Sequence, residues 1–230
     1  MNHPIHNVFD RPDLRGKTRV FRDRRHAGEI LGRMLQPLRH SGALMLAVPA
    51  GGLPVADAVR LGTGLPLDVA VVSKITLPWN TEAGYGAVAF DGTVRLNPAV
   101  LTYAELSQSQ IEDGKATTLR KVRRRVRLLR GGKPFPEMLK RAVVLVDDGL
   151  ASGFTMLVAV ESVKNAGAGA VTVAVPTGHR DAILKIASQV DALYCPNIRS
   201  GMSFAVADAY ERWHDVTDEE LLAVLKNQGG

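Results

Sequence analysis

The chain has 230 residues, of which 46% are hydrophobic and 23% charged, and its formal net charge is +6. This length is sufficient for one domain with a full hydrophobic core, and the composition is ordinary for a soluble globular protein. It contains no run of 18 apolar residues, so we expect no transmembrane helix and no membrane partner. The single cysteine, Cys195, cannot form an internal disulfide, which favours a cytoplasmic protein. We interpret Cys195 as a core thiol at the end of a strand.

The first 20 residues are predicted to form a polar N-terminal arm, and residues 21–230 a single α/β domain. Apolar residues at helical spacing predict an amphipathic helix over Arg24–Leu38. Strands and helices then alternate, which predicts a mostly parallel sheet flanked by helices on both faces. Ligands of such sheets collect at the carboxyl ends of the strands. The predicted strands are Leu44–Val48, Leu67–Ser73, Val143–Asp147, Ala170–Val175 and Ala192–Cys195, and the predicted helices are Val55–Leu61, Phe154–Ala166 and Arg180–Ala187.

A glycine turn follows the first of these strands, with the sequence Pro49-Ala50-Gly51-Gly52. Paired glycines allow a backbone to approach an anionic ligand closely. Lys74 comes after the strand predicted over Leu67–Ser73. Lysine carries a compact charge that suits phosphate oxygens, but an isolated lysine is usually a solvent-exposed structural residue.

The alternation of strands and helices breaks after Lys74. Pro78, Gly84 and Gly86 interrupt the pattern, so we predict a loop over Leu77–Tyr85. The Asp91-Gly92 pair lies between two short apolar runs, which is typical of a β-hairpin. The two strands of that hairpin are predicted over Ala87–Phe90 and Thr93–Leu96.

Residues 115–133 carry nine lysines and arginines and no acidic residue, so the basicity of the chain belongs to this segment. An apolar stripe at helical spacing predicts a helix that buries one face and leaves the arginines outside. Three interpretations are open: a solvated basic face, a positive rim that attracts a polyanionic substrate, or a contact with nucleic acid. The stripe consists of Leu119, Val122, Val126 and Leu129.

The most informative segment runs from Val143 to Thr155. An apolar strand buried on both faces brings Asp147 and Asp148 to its carboxyl end, and a turn of small residues then leads into a helix. Backbone N–H groups at a helix N-terminus form a phosphate cradle, and neighbouring carboxylates suit hydroxyl groups. The pattern predicts a site for a sugar phosphate. The alternative is a structural strand that ends in an Asp-Asp turn and a Ser/Thr helix cap.

Two features stand out near the C-terminus. Tyr210 and Trp213 are three residues apart, which fits either stacking on an aromatic ligand or packing in the core. The spacing of Thr217 and Glu220 predicts a capped helix that begins at Thr217.

The segment Val143–Thr155 resembles the signature for 5-phosphoribosyl-1-pyrophosphate (PRPP) in type I phosphoribosyltransferases. The order of motifs along nearly the whole chain resembles one branch of that family, the "predicted phosphoribosyltransferases". The resemblance implies that Asp147 and Asp148 bind the ribose 2′- and 3′-hydroxyls. It implies that the following loop holds the 5′-phosphate through its N–H groups and its two hydroxyl groups. That loop consists of Ala151, Ser152, Gly153, Phe154 and Thr155.

The same resemblance implies that Ala50, Gly51, Gly52 and Lys74 grip the pyrophosphate. Asp147, Asp148 and Lys74 are then the predicted catalytic residues. Mg2+ is implied as a cofactor that arrives on PRPP, without a direct protein ligand. A lid over the donor is implied near Leu77–Tyr85, and a small hood near the C-terminus.

The implied activity is transfer of ribose-5-phosphate to a nitrogen nucleophile, with release of pyrophosphate, in nucleotide metabolism. The acceptor is predicted to be a small, nucleobase-like molecule. Ala151 stands where related 6-oxopurine enzymes carry an aspartate, which argues against hypoxanthine or guanine. Ala50 stands where relatives commonly carry an arginine, which predicts weaker donor binding.

The resemblance also implies a homodimer. Two alternatives stay open: a PRPP-sensing regulator that binds RNA or DNA through the arginine-rich helix, and a donor-binding module with impaired chemistry.

Overall fold

The structure is a computed structural model that describes residues 6–226, apart from the side chain of Glu82. The strands are β1 (Val8–Phe9), β2 (Leu44–Ala47), β3 (Leu67–Val69), β4 (Val72–Leu77), β5 (Asn80–Ala89), β6 (Val94–Leu96), β7 (Ala142–Val146), β8 (Ala170–Ala174), β9 (Thr177–His179), β10 (Ala192–Tyr194) and β11 (Asn197–Arg199). The α-helices are α1 (Arg24–Met34), α2 (Gly52–Thr63), α3 (Pro98–Ala104), α4 (Gln108–Arg130), α5 (Phe154–Asn165), α6 (Arg180–Ala187) and α7 (Asp218–Lys226).

A six-stranded sheet forms the centre of the domain, with the strand order β1-β10-β8-β7-β2-β3. Every neighbouring pair in it is parallel, which confirms the predicted parallel sheet. Alternate residues of β2 face opposite sides. Leu44 and Leu46 belong to the core under α5 and α6, whereas Met45 and Ala47 belong to the core under α1, α2 and α4. Both faces are therefore covered, as the continuous apolar strands predict.

The N-terminal arm predicted over residues 1–20 is partly incorporated into the sheet. Residues 1–5 lie outside the described part of the chain. Val8 and Phe9 form an edge strand that pairs with Leu193 and Tyr194 of β10, and the ring of Phe9 stacks on that of Tyr194 at 4.7 Å. This pairing joins residues far apart in the sequence, and two residues are too few to show a strand pattern.

The helix predicted over Arg24–Leu38 is shorter than expected. α1 ends at Met34, and a separate 3-10 turn follows over Gln36–Leu38. Pro37 has no N–H to donate, so it cannot continue the α-helical hydrogen bonding.

Two predictions for the segment from Leu67 to Tyr85 are wrong. The strand predicted over Leu67–Ser73 is two strands, because the chain leaves the parallel sheet after Val69 and enters a separate antiparallel sheet of order β4-β5-β6. The loop predicted over Leu77–Tyr85 is the β4–β5 hairpin. Glycines hid its strand pattern: a Cβ on Gly86 would lie only 2.8 Å from the carbonyl oxygen of Arg95. The hairpin around Asp91-Gly92 is confirmed, with Val88 opposite Val94.

The basic helix is confirmed as α4, a 23-residue helix that a capping box at Ser107 precedes and a left-handed C-cap at Gly131 follows. Its predicted apolar stripe is the buried face, in which Val122 and Leu129 are buried. Arg123, Arg124 and Arg127 are exposed as predicted, whereas Arg125 is half-buried and Arg130 is buried, so the prediction that the arginines lie outside holds only in part. No α-helix in the described range, residues 6–226, is both long enough and apolar enough to cross a bilayer.

The C-terminal segment packs back onto the start of the domain. Tyr210 is buried and forms an isolated parallel bridge with Phe21, so core packing explains this aromatic residue. The predicted capping box is present: Oγ1 of Thr217 accepts from the Glu220 N–H, and the Glu220 carboxylate accepts from the Thr217 N–H. α7 itself begins at Asp218.

Cys195 is fully buried, as expected for a core thiol.

Candidate functional site

Asp147 and Asp148 follow the last residue of β7, in the middle of the sheet. Four buried residues of that strand lie between β2 and β8, so the backbone that carries the two acids is fixed on both sides. The N–H of Asp148 donates to Oδ1 of Asp147 at 2.8 Å. This bond ties the Asp147 carboxylate to the backbone of the neighbouring acid, and the two carboxyl groups interact directly. The sequence motif thus produces two distinct carboxylates at one sheet edge, where parallel sheets bind ligands.

The small-residue turn after these acids leads directly into α5. Gly153 precedes the helix in the left-handed conformation, with φ of +69°. The N–H of Phe154 donates to Oγ of Ser152 at 3.3 Å. The N–H groups of the first helical turn have no partners within the helix, so they provide an anion-binding position together with the positive end of the helix dipole.

The glycine turn at the end of β2 lies against the same two acids. A Cβ on Gly51 would stand 1.7 Å from Oδ2 of Asp148, and one on Gly52 would stand 2.5 Å from the carbonyl oxygen of Val146. Only glycine fits at either position. The peptide bond between Pro49 and Ala50 is cis. The predicted glycine turn and the predicted acidic pair are therefore direct neighbours, although almost 100 residues separate them in the sequence.

A cavity of about 590 Å³ opens at this edge of the sheet. Both carboxylates line it, and so does the turn that leads into α5. Lys74 and Gly84 of the β4–β5 hairpin form part of the opposite wall. The remaining wall includes Asn97 and Val206, which sequence analysis did not select. Of the predicted site residues, Lys74, Asp147, Asp148 and Ala151–Thr155 line the cavity, whereas Ala50, Gly51 and Gly52 do not, although Gly51 lies against Asp148.

The position of Lys74 differs in one respect from the sequence-based expectation. It lies within β4, opposite Ala87 of β5, and does not follow a strand of the parallel sheet. Its exposed side chain lines the cavity beside Gly84, whose Cβ would stand 3.2 Å from Cδ of Lys74. The hairpin therefore brings the lysine to the cavity that the prediction assigned to it.

Two residues that sequence reasoning did not place beside the acidic pair contact it. Arg24, at the start of α1, places Nε 2.9 Å from Oδ2 of Asp148. The Tyr210 hydroxyl donates to the backbone carbonyl oxygen of Asp148 at 2.7 Å. Arg24 lies in the stretch Phe21-Arg-Asp-Arg-Arg25 that marks the resemblance, and that stretch was the one available signal for it. Nothing in the local sequence shows that its side chain reaches a residue 124 positions away.

The surroundings of the two acids change their acidity. Burial is the main cause that raises the pKa of Asp147 well above its usual range, and the neighbouring charge of Asp148 adds to this. Burial also raises the pKa of Asp148, but the Arg24 guanidinium opposes that rise. Asp148 is therefore the carboxylate that the site holds ionised more readily. Two neighbouring carboxyl groups with unequal environments are typical of functional sites.

Residues 6–226 contain no cluster of three or more histidine, cysteine, aspartate or glutamate side chains arranged to hold a metal. The site nevertheless supplies hard carboxylate oxygens next to an anion-binding turn. Mg2+ is commonly bound by one or two carboxylates together with substrate phosphates. The donor set fits a magnesium ion held mostly by its substrate.

Comparisons with known proteins agree with this geometry. Residues 36–208 match the family model "Phosphoribosyl transferase domain". This match covers three-quarters of the chain and includes the glycine turn, the acidic pair and the small-residue turn before α5. The chain belongs to the phosphoribosyl transferase family.

Two relatives define the similarity further. A Mycobacterium tuberculosis H37Rv protein named "Putative phosphoribosyl transferase Rv0571c" is 32% identical over 207 residues, which are 90% of this chain and 46% of the relative. The chain thus spans about half the length of the curated relatives that it matches. The crystal structure of TT1426 from Thermus thermophilus is 36% identical and superposes with a TM-score of 0.74, covering 91% of this chain and 99% of that one. The mostly parallel, helix-flanked sheet is therefore the phosphoribosyl transferase fold.

Proposed function

We propose that this chain binds PRPP and transfers ribose-5-phosphate to a nitrogen nucleophile, with release of pyrophosphate. One observation carries the proposal: the acidic pair, the turn before α5 and Lys74 line a single cavity of about 590 Å³. A donor with a phosphate at one end, a diol in the middle and a diphosphate at the other needs these three kinds of group. Family membership supports the same chemistry.

In this proposal the 5′-phosphate binds the N-terminus of α5, at the turn Ala151–Thr155. Backbone N–H groups there stabilise its charge, and the hydroxyls of Ser152 and Thr155 add donors. The ribose hydroxyls donate to the carboxylates of Asp147 and Asp148. The diphosphate then lies beside Lys74 on the cavity wall and is directed past Asp148 toward the turn Ala50–Gly52, which does not itself line the cavity.

The reaction proposed is a displacement at C1 of the ribose. The lone pair of the acceptor nitrogen forms the new bond to C1, while the bond from C1 to the pyrophosphate oxygen breaks and pyrophosphate leaves with its electrons. A proton on the acceptor nitrogen passes to water. The protein contributes by fixing the reactants in line and by neutralising the leaving group through Lys74.

Magnesium is the cofactor that fits this proposal. When bound to the donor, it would neutralise the charge that develops on the pyrophosphate. Asp147 and Asp148 would act on it indirectly, through the ribose hydroxyls that they hold. The chain's own task is to hold those hydroxyls.

The acceptor is proposed to be a nucleobase-like nitrogen compound other than a 6-oxopurine. Ala151 lies on the cavity wall and carries no carboxylate. A 6-oxopurine whose ring N–H groups face this methyl group would have no carboxylate there to accept their hydrogen bonds, which disfavours binding. We expect the active form to be a homodimer, which light scattering of the purified protein tests.

Pyrophosphate release tests the activity. Purified protein with Mg2+ and PRPP is incubated with a panel of nitrogen bases that includes hypoxanthine and guanine as members expected to be inactive. At least one other base should release pyrophosphate, and the Asp147→Asn/Asp148→Asn variant should release none. Normal PRPP binding without release for any base would remove the catalytic part of the proposal and leave a donor-binding module.

A second candidate function rests on the outer face of α4. Arg120, Arg123, Arg124 and Arg127 are exposed on successive turns, and none of them forms an ion pair with an acid in the part of the chain that the structure describes. The other arginines of this helix, Arg125 and Arg130, do form ion pairs. A row of arginines without acidic partners suits the phosphates of RNA or DNA, so we propose a PRPP-sensing regulator as the alternative.

Binding of labelled RNA and DNA oligonucleotides at several salt concentrations tests this alternative. It predicts affinity that falls steeply with salt and a shallower slope for Arg123→Gln/Arg127→Gln. The pair Arg25→Gln/Arg33→Gln removes the same charge from exposed positions of α1 and serves as the control. Equal losses in both pairs, or no binding at all, would remove the alternative.

A further inference from the structure

The buried arginine at the start of α1 is held from two sides. Nε of Arg24 contacts Oδ2 of Asp148, and its Nη1 donates to the backbone carbonyl oxygen of His214 at 2.8 Å. Its Cζ lies 3.8 Å from the centre of the Trp213 ring. Only 7% of the residue is exposed. Its guanidinium plane therefore has a single orientation, between the C-terminal segment and the acidic pair.

A comparison with a second buried arginine shows what is particular to Arg24. Arg130 also has a carboxylate partner and an aromatic ring beneath it, because it forms a bidentate pair with Asp68 and lies 3.8 Å above Phe135. That pair ties the end of α4 to β3, and neither residue lines the cavity. The partner of Arg24, by contrast, is a cavity-lining residue. A buried guanidinium is stable only when it is paired. The pair that Arg24 forms therefore acts on a residue of the site, whereas the pair that Arg130 forms acts on the scaffold.

The position of Asp148 follows from the groups around it. On one side its Oδ2 lies against Gly51, where no Cβ fits, and on another it meets Arg24. The hydroxyl of Tyr210 fixes its backbone carbonyl. The ionisable groups that face the pair are thus Arg24 from α1 and Tyr210 from the C-terminal segment, with Lys74 across the cavity. Arg24 is the cation in direct contact.

We propose that Arg24 is a positioning residue for the donor: through its contact with Asp148, it holds that carboxylate against Gly51, ready to accept a hydrogen bond from a ribose hydroxyl. This role rests on the proposed function. The positive charge of Arg24 supports the same positioning role. Burial raises the pKa of Asp148, and Arg24 is the main influence that lowers it, so the arginine favours the ionised carboxylate. Without Arg24, two neighbouring buried carboxyl groups share one site and lose the cation that favours ionisation.

Calorimetric titration of PRPP with Mg2+ from about pH 5 to about pH 9 tests the proposal. Arg24→Met should weaken binding by about tenfold or more near neutral pH and move the acidic limb of the affinity profile upward by about one pH unit. Arg24→Lys restores a cation and should recover part of both effects. Arg130→Met is the matched control: it should lower the melting temperature and leave the affinity and its pH profile unchanged.

A double-mutant cycle separates positioning from a general loss of structure. If Arg24 acts through Asp148, then Arg24→Met or Arg24→Lys changes PRPP affinity little once Asp148→Asn is present. Wild-type-like affinity and pH profile in Arg24→Met, or full additivity with Asp148→Asn, would overturn this role alone. Absence of PRPP binding by the unmodified protein would overturn the proposed function as well, so the two failures are distinguishable.

Discussion

Gly51 and Asp148 are in contact across the site: a Cβ on Gly51 would stand 1.7 Å from Oδ2 of Asp148. This is far closer than any non-bonded carbon and oxygen approach. The glycine turn after β2 and the carboxylate after β7 therefore form one surface. Since the two strands are neighbours in register, with Ala47 opposite Val146, the sheet itself sets this contact.

Gly51→Ala tests whether the site depends on that contact. The added methyl group must displace the Asp148 carboxylate, so we expect PRPP affinity to fall by about tenfold or more. Gly62→Ala is the control, because a Cβ there would meet only Cα of Gly32 at 3.9 Å. Both affinities are measured by calorimetry. Equal affinity in the two variants would show that Asp148 does not bind the donor in the orientation described.

The pH dependence of stability provides a test that needs no ligand. The pKa of Asp147 is raised in the folded protein, mainly by burial. Between the unfolded pKa, about 4, and the folded pKa, folding takes up a proton, so the ionised group costs stability progressively as the pH rises. We expect Asp147→Asn to be more stable than the wild type at about pH 8, by about 1 kcal/mol or more, which is about 2–4 °C in melting temperature.

Below about pH 4 this advantage should disappear, since the wild-type carboxyl group is then mostly protonated in both the folded and the unfolded state. Thermal unfolding at several pH values measures the difference. Asp68→Asn provides the contrast, because it leaves the buried Arg130 guanidinium without its carboxylate and should lose stability. A destabilised Asp147→Asn at about pH 8 would contradict the raised pKa.

Much of this architecture is predictable because its signals are local. The apolar run before Asp147 and the turn at Gly153 lie within one short segment. The spacing of apolar residues and the small residues of the turn are enough to identify such a segment in the sequence. The general rule that parallel strands collect their ligands at one edge predicted that the glycine turn and the acidic pair share that edge, but not that Gly51 contacts Asp148.

The elements that were missed depend on contacts between distant segments. The β4–β5 hairpin contains Gly84 and Gly86, which allow close strand approach but remove the apolar alternation that marks a strand. The edge strand Val8–Phe9 exists only through its pairing with β10. Arg24 meets Asp148 only because α1 and the C-terminal segment pack together, and no spacing in the sequence contains that information.

Ala50 offers a test of the pyrophosphate position. The resemblance to the family implies that an arginine is common at this position. Ala50→Arg should therefore strengthen PRPP binding by about tenfold, through charge-assisted hydrogen bonds to the diphosphate. Ala50→Leu adds bulk without charge and should give no gain. Calorimetry compares the three proteins. No gain from the arginine would mean that the diphosphate does not extend toward this turn.

Cys195 should behave as an inert core thiol. Burial raises its pKa far above the usual range, and its Sγ donates to the backbone carbonyl oxygen of Asn197. We expect a thiol reagent to modify the native protein very slowly at mildly alkaline pH and to modify it rapidly after denaturation. Absorbance of the released chromophore follows the reaction. Rapid modification of the native state would mean that β10 opens readily.

The most direct test of the whole account is the affinity for PRPP with Mg2+, measured by calorimetry for the wild type and for Asp147→Asn/Asp148→Asn. Both substitutions conserve shape and remove the charges that are proposed to accept the ribose hydroxyls. The account predicts that the wild type binds and that the variant loses at least about 100-fold in affinity while remaining folded. A folded variant with unchanged affinity would contradict it.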